Sequence, residues 1–181
     1  MDSNDASLNR ASFLEILGLK EVDRAGWKRS GLTNVESVAD HSWGVAFLAM
    51  QICPPELDRL RLLEMAICHD VAEVRIGDIT PHDDISTEEK IRIETNAMIE
   101  LSKGFPRGED MVGLYQEYEA GETAEARFLK LCDKLEMAFQ SYVYQSRTEN
   151  DLRNFRKNAN KLVIEYGYPD LLDGTADVDE W

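Results

Sequence analysis

Apolar residues in this sequence recur at helical spacing, and no stretch alternates apolar and polar residues for long enough to predict a β-sheet. Pro54-Pro55 ends the second predicted helix, and Ser86 with Glu89 predicts a capping box at the start of the fourth. The sequence therefore predicts an all-α fold with helices at about 7–18, 36–52, 57–74, 87–103, 109–119, 122–146 and 149–166.

Length and composition predict one soluble domain. A chain of 181 residues can bury one core but is short for two ordinary domains, so we expect a single domain over 1–181, with its core at about 12–165. We expect the acidic tail at about 170–181 to be mobile. The net charge of −15 argues against nucleic-acid polymers as partners, because such binding depends on Lys and Arg neutralising phosphates.

No part of the sequence predicts a membrane span or an export signal. The apolar stretches are shorter than a span requires, and the amino terminus lacks a basic segment followed by an apolar one. Cys53, Cys68 and Cys132 each lie in an apolar context, which favours buried thiols over disulfides or zinc ligands. We therefore expect a cytoplasmic protein.

The adjacent pair His69-Asp70 follows the apolar run 60–68 and is the strongest functional signal in the chain. A helix that carries both side chains into an apolar neighbourhood must give each a partner, and a divalent metal ion satisfies imidazole and carboxylate together. In a continuous helix both side chains leave at the border of the buried face, and Glu73 lies one turn further on. This spacing indicates two metal ligands and a nearby carboxylate that is not a ligand.

Two further candidates are less clear from periodicity alone. His41 lies on the apolar stripe of its helix, where a lone histidine is more often a core residue. Since His41 and His69 are two of only three histidines, and both point along apolar helix faces, a ligand role is favoured. Asp133 lies off the centre of its stripe, which by itself favours a solvated or ion-paired carboxylate. His82 suggests a second metal site, although an exposed loop histidine is the simpler interpretation.

Three blocks, Glu36–Ser42, His69–Pro81 and Ala126–Met137, resemble the H…HD…D signature of the HD-domain metal-dependent phosphohydrolases, and in particular their 5′-deoxynucleotidase branch. The resemblance covers about residues 12–165 and is specific, because the separated blocks occur in the right order. It implies an all-helical fold, often a homodimer, that uses a divalent metal ion to remove phosphate from deoxyribonucleoside 5′-monophosphates.

The resemblance also implies roles for individual residues. Glu73 matches the acid/base carboxylate, Asp78 a loop residue at the sugar side of the substrate, and Trp27 an aromatic residue beside it. A bacterial relative has Arg directly before that Trp, whereas this chain has Gly, so Arg24 and Arg29 are the candidates for holding phosphate. The implied metal ligands are His41, His69, Asp70 and Asp133.

Simpler interpretations exist for most of the substrate contacts. Arg24, Lys28 and Arg29 could form a solvated basic cluster, Trp27 could belong to the core, and Asp78 could cap a turn. We also expect the remaining aromatic candidates to be packing residues, namely Trp43, Tyr142 and Tyr144.

Two imidazoles and two carboxylates suit Mn²⁺, Co²⁺, Fe²⁺ or Zn²⁺ better than Mg²⁺, which prefers oxygen ligands. Such an ion lowers the pKa of water and polarises phosphoryl oxygens, while Glu73 would orient the water and donate a proton to the leaving 5′ oxygen.

Three alternatives remain open at this point. A nucleotide pyrophosphohydrolase uses a similar site, but its more highly charged substrates demand more cationic contacts than this acidic chain favours. Dinuclear branches need further histidines, and only His82 remains. A non-enzymatic helical module could use the metal ion only for stability, although such a closed site has no need of Glu73 beside it.

Overall fold

The computed structural model describes residues 9–80 and 82–167, and its regular structure is helical. Within this part of the chain the only β pairing is a single antiparallel bridge between Asp23 and Ser37. The all-α prediction is confirmed. The helices are α1 (Arg10–Leu17), α2 (Ala25–Arg29), α3 (Val38–Ile52), α4 (Arg59–Cys68), α5 (Glu73–Ile76), α6 (Thr87–Ser102), α7 (Gly108–Ala120), α8 (Ala124–Gln145) and α9 (Arg153–Glu165), with a 3₁₀ turn at Gly18–Glu21.

Side-chain caps explain where several helices start. At α3 the Ser37 hydroxyl accepts from Asp40 N at 3.1 Å, and the Asp40 carboxylate accepts from Ser37 N at 3.0 Å, which completes a capping box. At α6 the Ser86 hydroxyl accepts from Glu89 N at 3.2 Å, as predicted. The Glu89 carboxylate instead binds Arg92, so only half of that predicted box forms.

The predicted helix 57–74 is wrong in being continuous, because α4 ends at Cys68 and α5 begins only at Glu73. The backbone amides of Val71, Glu73, Val74 and Arg75 then donate to carbonyls three residues back, as in the bond from Val71 N to Cys68 O at 3.2 Å. The short helix α5 then ends at Gly77, whose φ of 77° lies in the left-handed region. Apolar periodicity could not reveal this change, because Val71 and Ala72 are buried in the tightened geometry as well.

The core consists of hydrophobic clusters that meet at the break between α4 and α5. Side chains of α3, α4, α7, α8 and α9 form the largest cluster, which includes Val45, Leu62, Met65, Leu129 and Leu135. A second cluster connects the region after the break to α6 and α7, and it includes Leu19, Val38, Val71, Met98 and Tyr115. The chain passes from the first cluster to the second between residues 68 and 71, so the His69-Asp70 pair lies where the two join.

The remaining predictions about the chain have mixed outcomes. Cys53, Cys68 and Cys132 are free thiols, and the latter two are buried. No helix within residues 9–80 and 82–167 is long and apolar enough to cross a membrane. The predicted mobile tail lies outside the described residues, as does the start of the first predicted helix.

Candidate active site

His41 is held in the first turn of α3, which the capping box fixes. Its side chain is fully buried, and its Nδ1 lies 2.6 Å from Oε2 of Glu136 on α8. The other ring nitrogen, Nε2, lies 3.2 Å from Oδ1 of Asp133 and 3.9 Å from Oδ2 of Asp70. Glu136 therefore fixes the orientation of the ring, while Nε2 faces two carboxylates.

The pair His69-Asp70 lies where α4 gives way to the tightened turn. His69 Nδ1 lies 2.8 Å from the backbone oxygen of Ala66, and this contact fixes the ring against its own helix. His69 Nε2 lies 3.2 Å from Oδ2 of Asp70. Both histidines thus have Nδ1 beside a protein oxygen and Nε2 beside the Asp70 carboxylate.

Asp133 is buried on α8, although periodicity favoured a solvated position. Its Oδ2 accepts hydrogen bonds from the Tyr118 hydroxyl at 3.0 Å and from Lys134 Nζ at 2.9 Å. Its Oδ1 accepts none from the described residues and faces His41. One carboxylate oxygen is therefore held in place while the other is available.

Several buried polar atoms converge here without a hydrogen-bond partner among the described residues, and they are His41 Nε2, His69 Nε2, Asp133 Oδ1 and Glu73 Oε2. Buried polar groups are nearly always paired, so a group of unpaired atoms calls for a ligand. Ligand atoms of His41, His69 and Asp70 lie within 4.8 Å of one another. Metal-bound histidines commonly have their second nitrogen fixed by a carboxylate or a carbonyl oxygen. Here the Glu136 carboxylate holds the ring of His41, and the Ala66 carbonyl holds the ring of His69. These residues fit a divalent metal ion.

Electrostatics at the cluster favour a cation. Burial raises the pKa of Asp70, but the neighbouring His69 and Arg24 outweigh it and hold this pKa below its ordinary range. Burial also opposes ionisation of Asp133, yet Lys134 and His41 keep its pKa well below the usual value. Both carboxylates therefore stay ionised beside the two imidazoles.

The pKa of Glu73 is shifted in the opposite direction. This residue is buried at the start of α5, and burial raises its pKa well above the ordinary value, with the charges of Asp70 and Asp78 raising it further. Two nearby carboxylates with pKa values shifted in opposite directions are typical of an acid/base site. Glu73 and Asp70 form such a pair.

Arg24 is buried against this group of acids. Its Nη1 lies 3.4 Å from Oδ2 of Asp70, 3.5 Å from Oδ2 of Asp78 and 4.0 Å from Oε2 of Glu73. Asp78 Oδ2 also accepts from Ala25 N at 2.8 Å, so it fixes the start of α2 as well as facing the site. The bridge that pairs residues 23 and 37 anchors this segment beside α3, with Arg24 N donating to Glu36 O at 3.0 Å.

The other two predicted substrate residues differ from each other. Trp27 is fully buried, with its ring centroid 5.1 Å from that of Tyr144 and 4.2 Å from that of Phe155, and Nε1 donates to Glu36 at 2.7 Å. Arg29 is more exposed and forms an ion pair with Asp83 in the loop after α5. Both residues line the same cavity as His69, Asp70 and Asp133.

This cavity has a volume of about 640 Å³, within the range of small-molecule sites. Its wall includes His69, Asp70, Glu73, Asp78 and Asp133, together with Phe155 and two asparagines of α9. The structure thus brings a polar, acidic centre to one side of a space large enough for a nucleotide.

Sequence reasoning missed some features of this region. Glu136 lies one turn after Asp133, and that spacing on α8 was the available signal for its contact with His41. The prediction that Trp43 packs is wrong, because its side chain is 70% exposed on the face of α3 opposite His41 and Val45. His82 is exposed on its loop and is not among the residues that cluster for a metal ion.

Comparisons with known proteins agree with this geometry. The HD domain family model matches residues 16–166. The chain is 38% identical over 166 residues to the 5′-deoxynucleotidase hdd1 of Schizosaccharomyces pombe, covering 87% of this chain and 83% of that protein. It is 39% identical over 136 residues to the human 5′-deoxynucleotidase HDDC2, covering 74% of this chain and 67% of that protein. The PH0347 protein from Pyrococcus horikoshii has a similar structure, with a TM-score of 0.72, 29% identity, and coverage of 90% of this chain and 99% of that one. This chain belongs to the HD domain family.

Proposed function

We propose that this protein hydrolyses deoxyribonucleoside 5′-monophosphates to nucleoside and phosphate with one divalent metal ion. The observation that carries the proposal is a group of buried atoms that lack a hydrogen-bond partner among the described residues. They belong to His41 and to three residues that line one cavity, His69, Glu73 and Asp133. The relatives named 5′-deoxynucleotidases, at 32–39% identity, support the nucleotide substrate.

The proposed ligands are His41, His69, Asp70 and Asp133. Their mixture of nitrogen and oxygen donors favours Mn²⁺, Co²⁺, Fe²⁺ or Zn²⁺ over Mg²⁺. When bound, the ion would supply a Lewis acid that polarises the phosphoryl group and lowers the pKa of water.

Glu73 is the proposed acid/base residue. It orients the attacking water, donates a proton to the 5′ oxygen of the leaving nucleoside and recovers a proton from that water, so Glu73 ends the reaction in its starting protonation state. Its burial and raised pKa suit the step in which it donates. Its Oε2 has no hydrogen-bond partner among the described residues, which suits a group that acts on a bound molecule.

Arg24 is the better candidate of the two arginines for holding phosphate. Its Nη1 faces the site acids, while among the described residues the hydrogen bond of Nη2 is to the Met137 sulfur at 3.7 Å, a weak acceptor. Donors on the guanidinium therefore remain for phosphoryl oxygens. Arg29 is more exposed and already paired with Asp83. Asp78, fixed by Ala25 N, is proposed to contact the sugar.

The decisive experiment measures phosphate release from ribo- and deoxyribonucleoside 5′-monophosphates and from polyphosphates, with Mn²⁺, Co²⁺, Mg²⁺ or a chelator. We expect metal-dependent release from deoxyribonucleotides, a loss of about 10²-fold or more in Glu73→Gln, and unchanged metal binding in that variant. Glu149→Gln, an exposed glutamate, is the matched control. Release only from polyphosphates would favour a pyrophosphohydrolase, and no release from any substrate would favour a structural metal site.

We further propose a cytoplasmic homodimer. The three free thiols are consistent with a reducing compartment. On the outside of α3 the rings of Trp43 and Phe47 stack with their centroids 5.6 Å apart, and the two side chains are 70% and 50% exposed. An exposed aromatic patch of this kind commonly marks an interface. Light scattering should give a dimer for the parent protein and a monomer for Trp43→Asp, and a monomeric parent would contradict the proposal.

A further inference from the structure

Acidic side chains outnumber basic ones in the wall of the candidate cavity. Seven carboxylate side chains line it, against five lysine or arginine side chains. A divalent ion offsets this difference, but a bound phosphate dianion then needs further positive charge from the wall. The present contacts of each lysine and arginine in the wall show which of them can supply this charge.

Arg24 is already proposed to hold phosphate, and three of the other four cations contact other groups of the protein. Arg24 faces three acids with Nη1, and Lys134 donates to Asp133 at 2.9 Å. Lys130 donates to the backbone oxygen of Glu119 at 3.1 Å and lies over the Tyr118 ring at 5.2 Å. Arg29 pairs with Asp83 at the rim.

Lys90 is held differently. It lies on α6, which packs against α5, the helix that carries Glu73. Its Nζ lies 3.3 Å from Oε1 of Glu94, one turn further along the helix, and its side chain is 36% exposed at the cavity. Glu94 is itself buried, and its Oε2 accepts from the Tyr115 hydroxyl at 3.0 Å. A buried tyrosine and a buried carboxylate thus fix the ammonium group at the cavity wall.

The charge environment keeps Lys90 cationic. Burial lowers its pKa, but Glu94 and Glu73 outweigh that effect and raise the pKa above its ordinary value. Lys90 is therefore a protonated side chain with a fixed anchor and an exposed face.

We propose that Lys90 is a phosphate-binding residue of this site, anchored by Glu94 and Tyr115, that donates to a phosphoryl oxygen on the α6 side of the cavity. This role rests on the proposed function, because it assigns a contact for that substrate. The probe that isolates it is inorganic phosphate, titrated calorimetrically into the full chain loaded with one equivalent of Co²⁺. A deoxyribonucleoside, which lacks the phosphoryl group, serves as the second probe.

Lys90→Met preserves the length of the side chain and removes its charge, so we expect phosphate affinity to fall about tenfold while nucleoside affinity is unchanged. Lys90→Arg, which keeps the charge, should lose less. Lys103→Met is the matched control, because Lys103 pairs with Glu100 across one turn on the protein surface, away from the cavity. We expect its phosphate affinity to equal that of the parent protein.

Phosphate affinity unchanged in Lys90→Met, or no measurable phosphate binding by the parent protein at millimolar concentration, would overturn the assignment. An equal loss in Lys103→Met would also overturn it, since the effect would then follow net charge rather than position. The proposed function can fail separately. If the parent protein released phosphate from no nucleotide but Lys90→Met still lost phosphate affinity, the phosphate site would stand and the nucleotidase proposal would not.

Discussion

Replacing Glu136 with Gln tests whether the protein prepares His41 to bind a metal ion. Glu136 Oε2 lies 2.6 Å from His41 Nδ1, and the histidine is fully buried. Gln can still accept from Nδ1 through its amide oxygen but carries no charge, so the ring keeps its orientation and becomes a weaker ligand. Glu136→Gln should therefore lower metal affinity with little change in the fold.

The expected loss of metal affinity follows from the contact between Glu136 and His41, a proposed metal ligand. Losing an outer partner of a metal-bound histidine costs about 10- to 100-fold in metal affinity. At a metal concentration about 1,000 times the parent Kd, binding adds about 4.1 kcal/mol to the free energy of unfolding. After a tenfold loss of affinity the increment becomes about 2.7 kcal/mol, and after a hundredfold loss it becomes about 1.4 kcal/mol.

Without metal, Glu136→Gln should lower the free energy of unfolding by much less than it does with Co²⁺ bound. Burial raises the pKa of Glu36 to about 7, and the charge of Glu136 contributes to this increase. The uncharged Gln removes that repulsion, which offsets part of the weakened contact with His41. Urea unfolding in Co²⁺ and in chelator separates the two effects, with Glu149→Gln as control. An undiminished Co²⁺ increment in Glu136→Gln would refute the reasoning.

Three further predictions concern other positions. Gly44→Ala should weaken metal binding in calorimetry although Ala favours helix, because its Cβ would lie 2.7 Å from Glu136 Oε1; unchanged affinity would contradict this. Burial raises the pKa of Glu94 above its ordinary 4.5, so its contribution to stability is present below that pH and declines as pH rises through the folded-state pKa. Urea unfolding should therefore show the parent losing stability relative to Glu94→Gln between pH 4.5 and 7.5, and the opposite trend would exclude this. In urea titrations Leu62→Ala should lower the free energy of unfolding by about 2–5 kcal/mol, because Leu62 is buried. Leu60 is exposed, so Leu60→Ala should change it by no more than about 0.5 kcal/mol; equal changes would contradict the assigned burial.

Sequence periodicity predicted the helices well, because most of them bury one face against a shared core. It failed for Trp43, since hydrophobicity shows that a side chain can be buried and does not show that a neighbour covers it. His41 and Val45 occupy the inner face of α3, and Trp43 occupies the outer one. The large ring is therefore exposed on a helix whose other face fits the core.

The proposed metal ligands were predictable to different degrees. His41 and His69 are polar side chains on apolar faces, a conflict that periodicity detects. Asp133 presents no such conflict, because its burial depends on Tyr118 and Lys134, which bind one of its oxygens. Those partners come from α7 and from the adjacent position on α8, and neither contact can be read from spacing alone. Only the family resemblance identified this residue from sequence.

The tightened turn after His69 explains how adjacent residues acquire different environments. An α-helix rotates about 100° per residue and a 3₁₀ helix about 120°, so four residues of 3₁₀ geometry differ from α geometry by roughly 80°. The rise over the same four residues increases from about 6 Å to about 8 Å. Relative to a continuous helix, the turn thus displaces Glu73 from the stripe of His69 and moves it further along the axis. The lowered pKa of Asp70 and the raised pKa of Glu73 are consistent with this separation, because Asp70 stays beside both imidazoles while Glu73 faces acids. The backbone break is therefore what allows one short segment to present both a proposed ligand and a proposed acid/base carboxylate.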